Sequence, residues 1–475
     1  MRTIWYMGAK TRLTTEILRA VEDAAPGARS ALDLMTGTSV VAWALSDRYR
    51  VVANDVQAYA TTLARASLCG PKVGPVLTER TLGRRFRENA NALLDWLEPA
   101  VALEDAFLEA YGFDPEGGER GPFALGPMGV AARERARRRV PRDPQRRARA
   151  YRAFALGGPS FLEEGTPRAT GPFRGAQDLF AQATIGVRRE DPGTFPYLLA
   201  SSYYPNVYLG LRQAIVVDSL RYAIDGLGGA QAAQRRTQAL ASLLHATSVT
   251  TSATSHFCQP RGLVRDSEVK AVLARRSAAI GARAQGYERE LVALRASHER
   301  NPGNAAFCCD WRDLYRRWNE VGADVVYADP PYTSDNYSRF YHVLEVLTRY
   351  DYPTLEVRRG RTTKGRYPAR ALRHQSPFCV RRRVEGELRE LIAQTAARGA
   401  ALVLSYGEEN GLLFKVWRAR GLSAAAARRR FLELARAHYA HAELRKRTLL
   451  HSGQGDSNVK VTELLLVARG PRTCA

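Results

Sequence analysis

A strand–helix rhythm occurs twice in this chain, and a long stretch between the two occurrences lacks it. Leu13, Ile17 and Val21 recur at helical spacing and Pro26-Gly27 closes that helix. Residues 30–35 (SALDLM) form a short apolar run entering a turn at Thr36-Gly37-Thr38, and Val40 to Leu45 resumes as helix. Arg50 to Ala53 is another strand, closed by Asn54-Asp55, and Gln57 to Leu68 another helix. The rhythm returns with strands expected at Ala305–Cys309, Ala323–Ala328, Ala400–Ser405 and Thr462–Ala468, and with a helix over Glu385–Ala397. Strands alternating with helices imply a parallel sheet covered on both faces. The expected architecture is one α/β domain of Rossmann type, made from residues 1–70 and 303–475 and interrupted by a mostly helical insertion, residues 71–302. That insertion exceeds about 200 residues, far beyond an ordinary connection.

Within it, Ala132 to Arg152 is crowded with arginines, and Val264 to Arg300 reads as one extended helix or a helical pair, in a scaffold role. The arginine run fits a solvated charged face, often mobile, or a surface that tracks phosphates, and the sequence favours neither. Over the whole chain the formal net charge is +23. Such an excess suits a polyanionic partner, although a compositional preference for Arg would also raise it. Apolar residues make up 45% of the chain, which indicates globular protein. The absence of a long apolar run or signal-like N-terminus leads us to expect a soluble, cytoplasmic protein. The cysteines (Cys69, Cys258, Cys308, Cys309, Cys379, Cys474) form no C-x-x-C pair, so reduced thiols and no metal site are expected.

The sharpest local signal is Asp329-Pro330-Pro331-Tyr332, directly after the apolar run Val325 to Ala328. By chance this tetrapeptide would occur in roughly one chain per few hundred of this length. A Pro-Pro turn ending a strand would explain the prolines but not the whole tetrad. Its chemistry suits an exocyclic adenine amino group, whose lone pair is delocalised into the ring. A carboxylate and a neighbouring main-chain carbonyl can accept the two N–H bonds, drawing the nitrogen toward tetrahedral geometry. The prolines stiffen the loop and leave the Pro330 carbonyl available. Tyr332 offers a flat face to a base that has left its duplex.

Three further pieces accompany it. Asp33-Leu34-Met35-Thr36-Gly37-Thr38 is a small-residue turn between strand and helix that lets a nucleotide-like ligand approach the backbone. Asp55 ends the next strand, where an acidic side chain can grip ribose hydroxyls. Together these read as an adenosine site. Tyr6-Met7-Gly8-Ala9-Lys10 precedes the first helix; Lys10 could hold the methionine carboxylate of S-adenosyl-L-methionine, although alone it reads better as a surface lysine.

With these pieces in this order, the sequence resembles the Dam-like, alpha-group DNA adenine-N6 methyltransferases, over both ends of the chain and about half its length. The resemblance implies S-adenosyl-L-methionine as cofactor and double-stranded DNA, with a flipped adenine, as partner. It implies cofactor contacts from Tyr6, Met7, Lys10, Asp33, Met35, Thr36, Gly37, Thr38 and Asp55, and from Asp310-Trp311 after the strand at Ala305. Asp329, Pro330, Pro331 and Tyr332 would be the catalytic segment, and residues 71–302 a target-recognition region. Tyr337 to His342, Ser376-Pro377-Phe378 and Ser405-Tyr406 are similar to later segments on the substrate side. Tyr203-Tyr204, Tyr208, Gln213-Ala214 and Ser255 to Pro260 are similar to stretches preceding and entering the recognition region. Met35 stands where the family usually carries Phe, and Ser39 where a second Gly is common; Ser39 is expected to be tolerated there and even to cap the helix. The expected setting is a restriction-modification or phage-defence system, with a cognate restriction or defence protein as possible partner. Methylation of RNA adenine is a competing reading, as is a catalytically weak DNA-binding protein on the same fold.

Overall fold

The computed structural model describes Ile4 and residues 10–115, 121–157, 171–176, 179, 182–254, 256–299, 301–452 and 458–472. Tyr6, Met7, Ser255 and Cys474 lie outside the described residues. The chain divides into two compact units, one of residues 1–70, 297–338 and 374–475, the other of residues 71–296 and 339–373.

The first unit is built on a seven-stranded sheet. Its strands are β1 (Ser30–Asp33), β2 (Arg50–Asp55), β3 (Ala305–Cys308), β4 (Val325–Ala328), β5 (Ala401–Gly407), β6 (Tyr439–Ser452) and β7 (Asn458–Pro471), in the order β3-β2-β1-β4-β5-β7-β6. The first five in that order are parallel, whereas β7 runs antiparallel to β5 and β6 antiparallel to β7. Ala31 lies beside Val51 on one side and Val325 on the other, and Val326 lies beside Leu402. β1, β4 and β5 are buried at every position because helices cover both faces, as a parallel sheet requires. On one face, Ile17 and Val21 of α1 (Thr14–Ala24), Leu45 of α2 (Val40–Leu45) and Leu68 of α3 (Ala58–Leu68) pack on Val51, Val325 and Val403. On the other, Leu388 and Leu391 of the helix Val384–Ala397 join Trp417 and Phe431 over Leu32, Val326 and Leu404.

The β6–β7 hairpin is longer than expected. The sequence reading foresaw only the apolar half of β7 and missed β6, where Leu444 is followed by Arg445-Lys446-Arg447. β6 is the sheet edge, and charges there protect the unpaired backbone rather than mark a loop.

Among its described residues the second unit is helical, apart from a two-stranded ribbon pairing Val357 with Thr362. Its longest helix, Arg84–Ala110, lies against Leu211–Asp225. The stretch read as one helix or two is a pair, Asp266–Arg276 and Ile280–Ala296. The arginine run forms two helices, Val130–Arg139 and Pro144–Leu156. The second buries Ala148, Tyr151 and Phe154 and leaves Arg146, Arg149 and Arg152 exposed along one stripe. These apolar anchors were masked in the sequence by the arginines around them.

Residues 339–373, which the sequence grouped with the α/β part, pack in the second unit. The Tyr350 hydroxyl donates to Asp218 at 2.6 Å, Leu198 N–H donates to the Tyr352 hydroxyl at 3.1 Å, and the Tyr203 hydroxyl donates to the Pro353 carbonyl at 2.9 Å. Tyrosine hydroxyls that reach buried polar partners fix this segment as core. No helix among the described residues is long and apolar enough to cross a membrane.

Candidate active site

The strand order reverses between β1 and β4, and open α/β sheets bind ligands beyond the carboxyl ends of strands at such a point. Here Asp33 ends β1, Asp55 ends β2 and Asp329 follows β4, and all three line one open cavity of about 1140 Å³, its solvent side included. Lys10, Met35, Thr36, Gly37, Thr38, Asp310, Trp311, Pro330, Pro331 and Tyr332 line it too. Every described residue singled out from the sequence as a site candidate is therefore on this wall.

The turn after β1 is held tightly. Gly37 adopts φ 49°, the left-handed region, and donates its N–H to Asp55 Oδ2 at 2.9 Å. Gln57 N–H donates to Asp55 Oδ1, also at 2.9 Å. The carboxylate thus arrives at the cavity already oriented by two backbone donors. Thr36 donates its hydroxyl to Asp33 Oδ2 at 3.1 Å, and burial pushes the Asp33 carboxyl up to about 7. Asn54, which the sequence reading passed over, donates to the carbonyls of Leu34 and Cys309, both at 3.1 Å, and ties this turn to the segment after β3. There Asp310 caps the helix Trp311–Arg316 by accepting from Arg312 N–H at 2.9 Å. Trp311 is largely buried, its indole N–H donating to Glu387 at 3.0 Å.

Ser39 departs from expectation. It sits at φ 63° with no side-chain capping bond, and its buried hydroxyl has no hydrogen-bond partner. The capping role fails because a residue in the left-handed region does not present its side chain to the first helical N–H groups as an extended N-cap does.

Lys10 departs too. It is a buried residue rather than a surface lysine, with its ammonium 2.9 Å from Asp329 Oδ1, 3.1 Å from Glu463 Oε1 and 5.2 Å from the centre of the Tyr332 ring. Burial alone would depress this ammonium, but the carboxylates of Asp329 and Glu463 outweigh it and raise it well above the usual lysine range. Burial pushes the Asp329 carboxyl up to about 6, against the pull of Lys10. Glu463 was not foreseen. It reaches the site from β7 and accepts from the Ser405 hydroxyl at 2.7 Å. Its signal was visible, since it is the one carboxylate in the apolar run Val461 to Ala468.

Tyr332 is braced from behind. Its carbonyl accepts from Leu412 N–H at 2.6 Å, and its ring lies 5.6 Å from that of Tyr406, whose hydroxyl accepts from Leu413 N–H at 3.0 Å. Two otherwise orphaned N–H groups at the start of the helix Leu412–Ala419 therefore hold the loop that carries Tyr332. Gly411 is required there: a Cβ would lie 2.1 Å from the Gly407 carbonyl oxygen. Of the later segments, Tyr337, Ser376, Pro377 and Phe378 line the cavity, along with His374, whose imidazole is held down by burial. Tyr341 and His342 instead belong to the second unit and are buried.

An acid after β4 beside a stiff Pro-Pro-Tyr loop, opposite a glycine turn on β1, is matched by a known sequence profile at residues 6–85 and 277–384, that of the D12 class N6 adenine-specific DNA methyltransferases. The chain is similar to this family over those two stretches, which make up less than half of its length. Its mostly parallel sheet is consistent with the fold of enzymes that use S-adenosyl-L-methionine. Among curated proteins it is similar to the Modification methylase LlaI of Lactococcus lactis subsp. lactis, 43% identical over 56 residues, 12% of this chain and 9% of that protein. It is also similar to the Type II methyltransferase M.FokI of Planomicrobium okeanokoites, 32% identical over 94 residues, 20% of this chain and 13% of that protein. The matched stretches thus span a small part of either relative. No solved structure matches the chain.

Proposed function

We propose that this chain transfers a methyl group from S-adenosyl-L-methionine to N6 of adenine in double-stranded DNA. The observation that carries the reading is the Asp329 carboxylate at the end of β4, with the Lys10 ammonium at 2.9 Å and the Tyr332 ring beside it. Asp329 accepts an N–H of the adenine amino group and frees its lone pair, and the Pro330 carbonyl takes the second. Tyr332 stacks the base. A carboxylate in this role also stabilises the positive charge that grows on the nitrogen.

The cofactor fits the rest of the wall. Gly37 lets the backbone come close, Asp55 stands oriented toward ribose hydroxyls, and Asp310 lies on the same wall, where an adenine ring would meet it. When bound, S-adenosyl-L-methionine supplies an electrophilic methyl group. Asp33, Met35, Thr36 and Thr38 would line its seat, with Trp311 beside Asp310. Lys10, whose ammonium lies between two protein carboxylates, acts through Asp329. Tyr6 and Met7 stay assigned to the cofactor by the family motif alone.

Residues 71–302 are proposed as the target-recognition region, with Arg146, Arg149 and Arg152 among its phosphate contacts. The names of the two relatives favour a modification role in a restriction-modification system. The test is transfer of labelled methyl to unmethylated duplex DNA, with RNA of the same sequence as the second arm. Label in DNA supports the reading; label only in RNA replaces it, and label in neither leaves a binding protein on this fold.

A further inference from the structure

The geometry points to Glu463 as a positioning residue of the reaction: as the second counter-ion of Lys10, it leaves the Asp329 carboxylate an unbalanced negative charge with which to meet the adenine amino group. This inference rests on the function proposed above. Lys10 is buried, and its ammonium bridges Asp329 and Glu463 at 2.9 and 3.1 Å. With one ammonium and two carboxylates, the cluster carries a net charge of −1. Were Glu463 neutral, Lys10 would answer Asp329 alone and the pair would sum to zero. An electrically balanced Asp329 would attract the growing positive charge on the adenine nitrogen much less, because buried charges are weakly screened.

Glu463 is built for a fixed position. It lies between Gly407 of β5 and Arg447 of β6, and the Ser405 hydroxyl holds the oxygen that meets Lys10. Arg447 does not displace it, since that side chain is half-exposed and pairs with Glu16 at 3.6 Å. Besides Lys10 and Glu463, Asp329 faces Tyr332 from its own loop, Tyr327 from β4 and Asp33 from β1. Of these, Tyr327 and Tyr332 are held neutral by burial, and Asp33, raised by burial to about 7, is largely protonated where Asp329 titrates. Lys10 is the one cation in this set, so where its charge is spent decides the state of Asp329.

Glu463→Gln keeps the shape and the Ser405 contact while removing the charge. The expected result is a kcat lower by at least about tenfold. KM for DNA and for S-adenosyl-L-methionine should stay within about twofold. The acid limb of kcat should move to lower pH, because Asp329 loses a repelling neighbour and gains the undivided charge of Lys10. Glu463→Asp should recover part of the rate and of the limb. Wild-type kcat in Glu463→Gln overturns the inference, as does a slowed enzyme whose acid limb has not moved, which would mark a merely structural residue. A second readout separates this from the function itself: titration of the 13C-labelled Asp329 carboxyl, assigned as the resonance missing from Asp329→Asn. If the wild type methylates nothing yet this carboxyl titrates lower in Glu463→Gln, the proposed function fails and the electrostatic role of Glu463 stands. If it titrates at the same pH in both proteins, the inference fails whatever the enzyme does.

Discussion

Ser39 shows what a single residue can cost beside a cavity. A non-glycine residue in the left-handed region is strained, and here its hydroxyl is buried without a partner. Ser39→Gly should therefore stabilise the protein by about 1 kcal/mol, read from denaturant midpoints. An unchanged midpoint would mean that the turn relaxes around the serine. Asp329 supports a prediction of the opposite kind, about protonation. Its carboxyl is raised to about 6, and only the ionised form sets a negative charge against the positive charge that grows on the amino nitrogen. Activity should be full above that pH and fall as pH drops through it, close to tenfold per unit. A rate flat down to pH 5 would show that the charged carboxylate is not required. The candidate acid was legible in the sequence because its neighbours are unusual; Glu463 stood out as a lone carboxylate in an apolar strand, but such a residue declares its partner only once Lys10 is folded against it.

Among the elements, the strands buried on both faces were the easiest to read. β1 and β4 are short apolar runs, the first ending in Asp33 and the second followed directly by Asp329. The edge strand β6 was illegible because exposure removes the alternation that marks a strand. The arginine helices were hidden for a related reason, their buried faces consisting mostly of alanines and two aromatic rings. A third device left no local signature at all. Glu104, buried in the helix Arg84–Ala110, accepts from Leu211 N–H at 2.8 Å and Arg212 N–H at 2.9 Å, and so caps the helix Leu211–Asp225 from more than one hundred positions away in sequence. Glu104→Leu should cost about 2–4 kcal/mol, since two buried N–H groups lose their acceptor. Equilibrium unfolding measures it, and a loss below about 1 kcal/mol would show that other acceptors replace the carboxylate.

At the scale of the whole molecule, charge and reaction belong together. A net charge of +23 and an ordered arginine stripe in the second unit predict DNA affinity that falls steeply with salt. Replacing Arg146, Arg149 and Arg152 with Gln should reduce the slope of log K against log salt by roughly 2 to 3. An unaltered slope would remove that stripe from the DNA contact. The central claim is narrower and rests on one carboxylate. Nucleoside analysis of duplex DNA incubated with S-adenosyl-L-methionine and the protein tests it most directly, with Asp329→Ala alongside. The account predicts N6-methyladenine from the wild type and none from a variant that remains folded. N6-methyladenine formed at an undiminished rate by Asp329→Ala would contradict it.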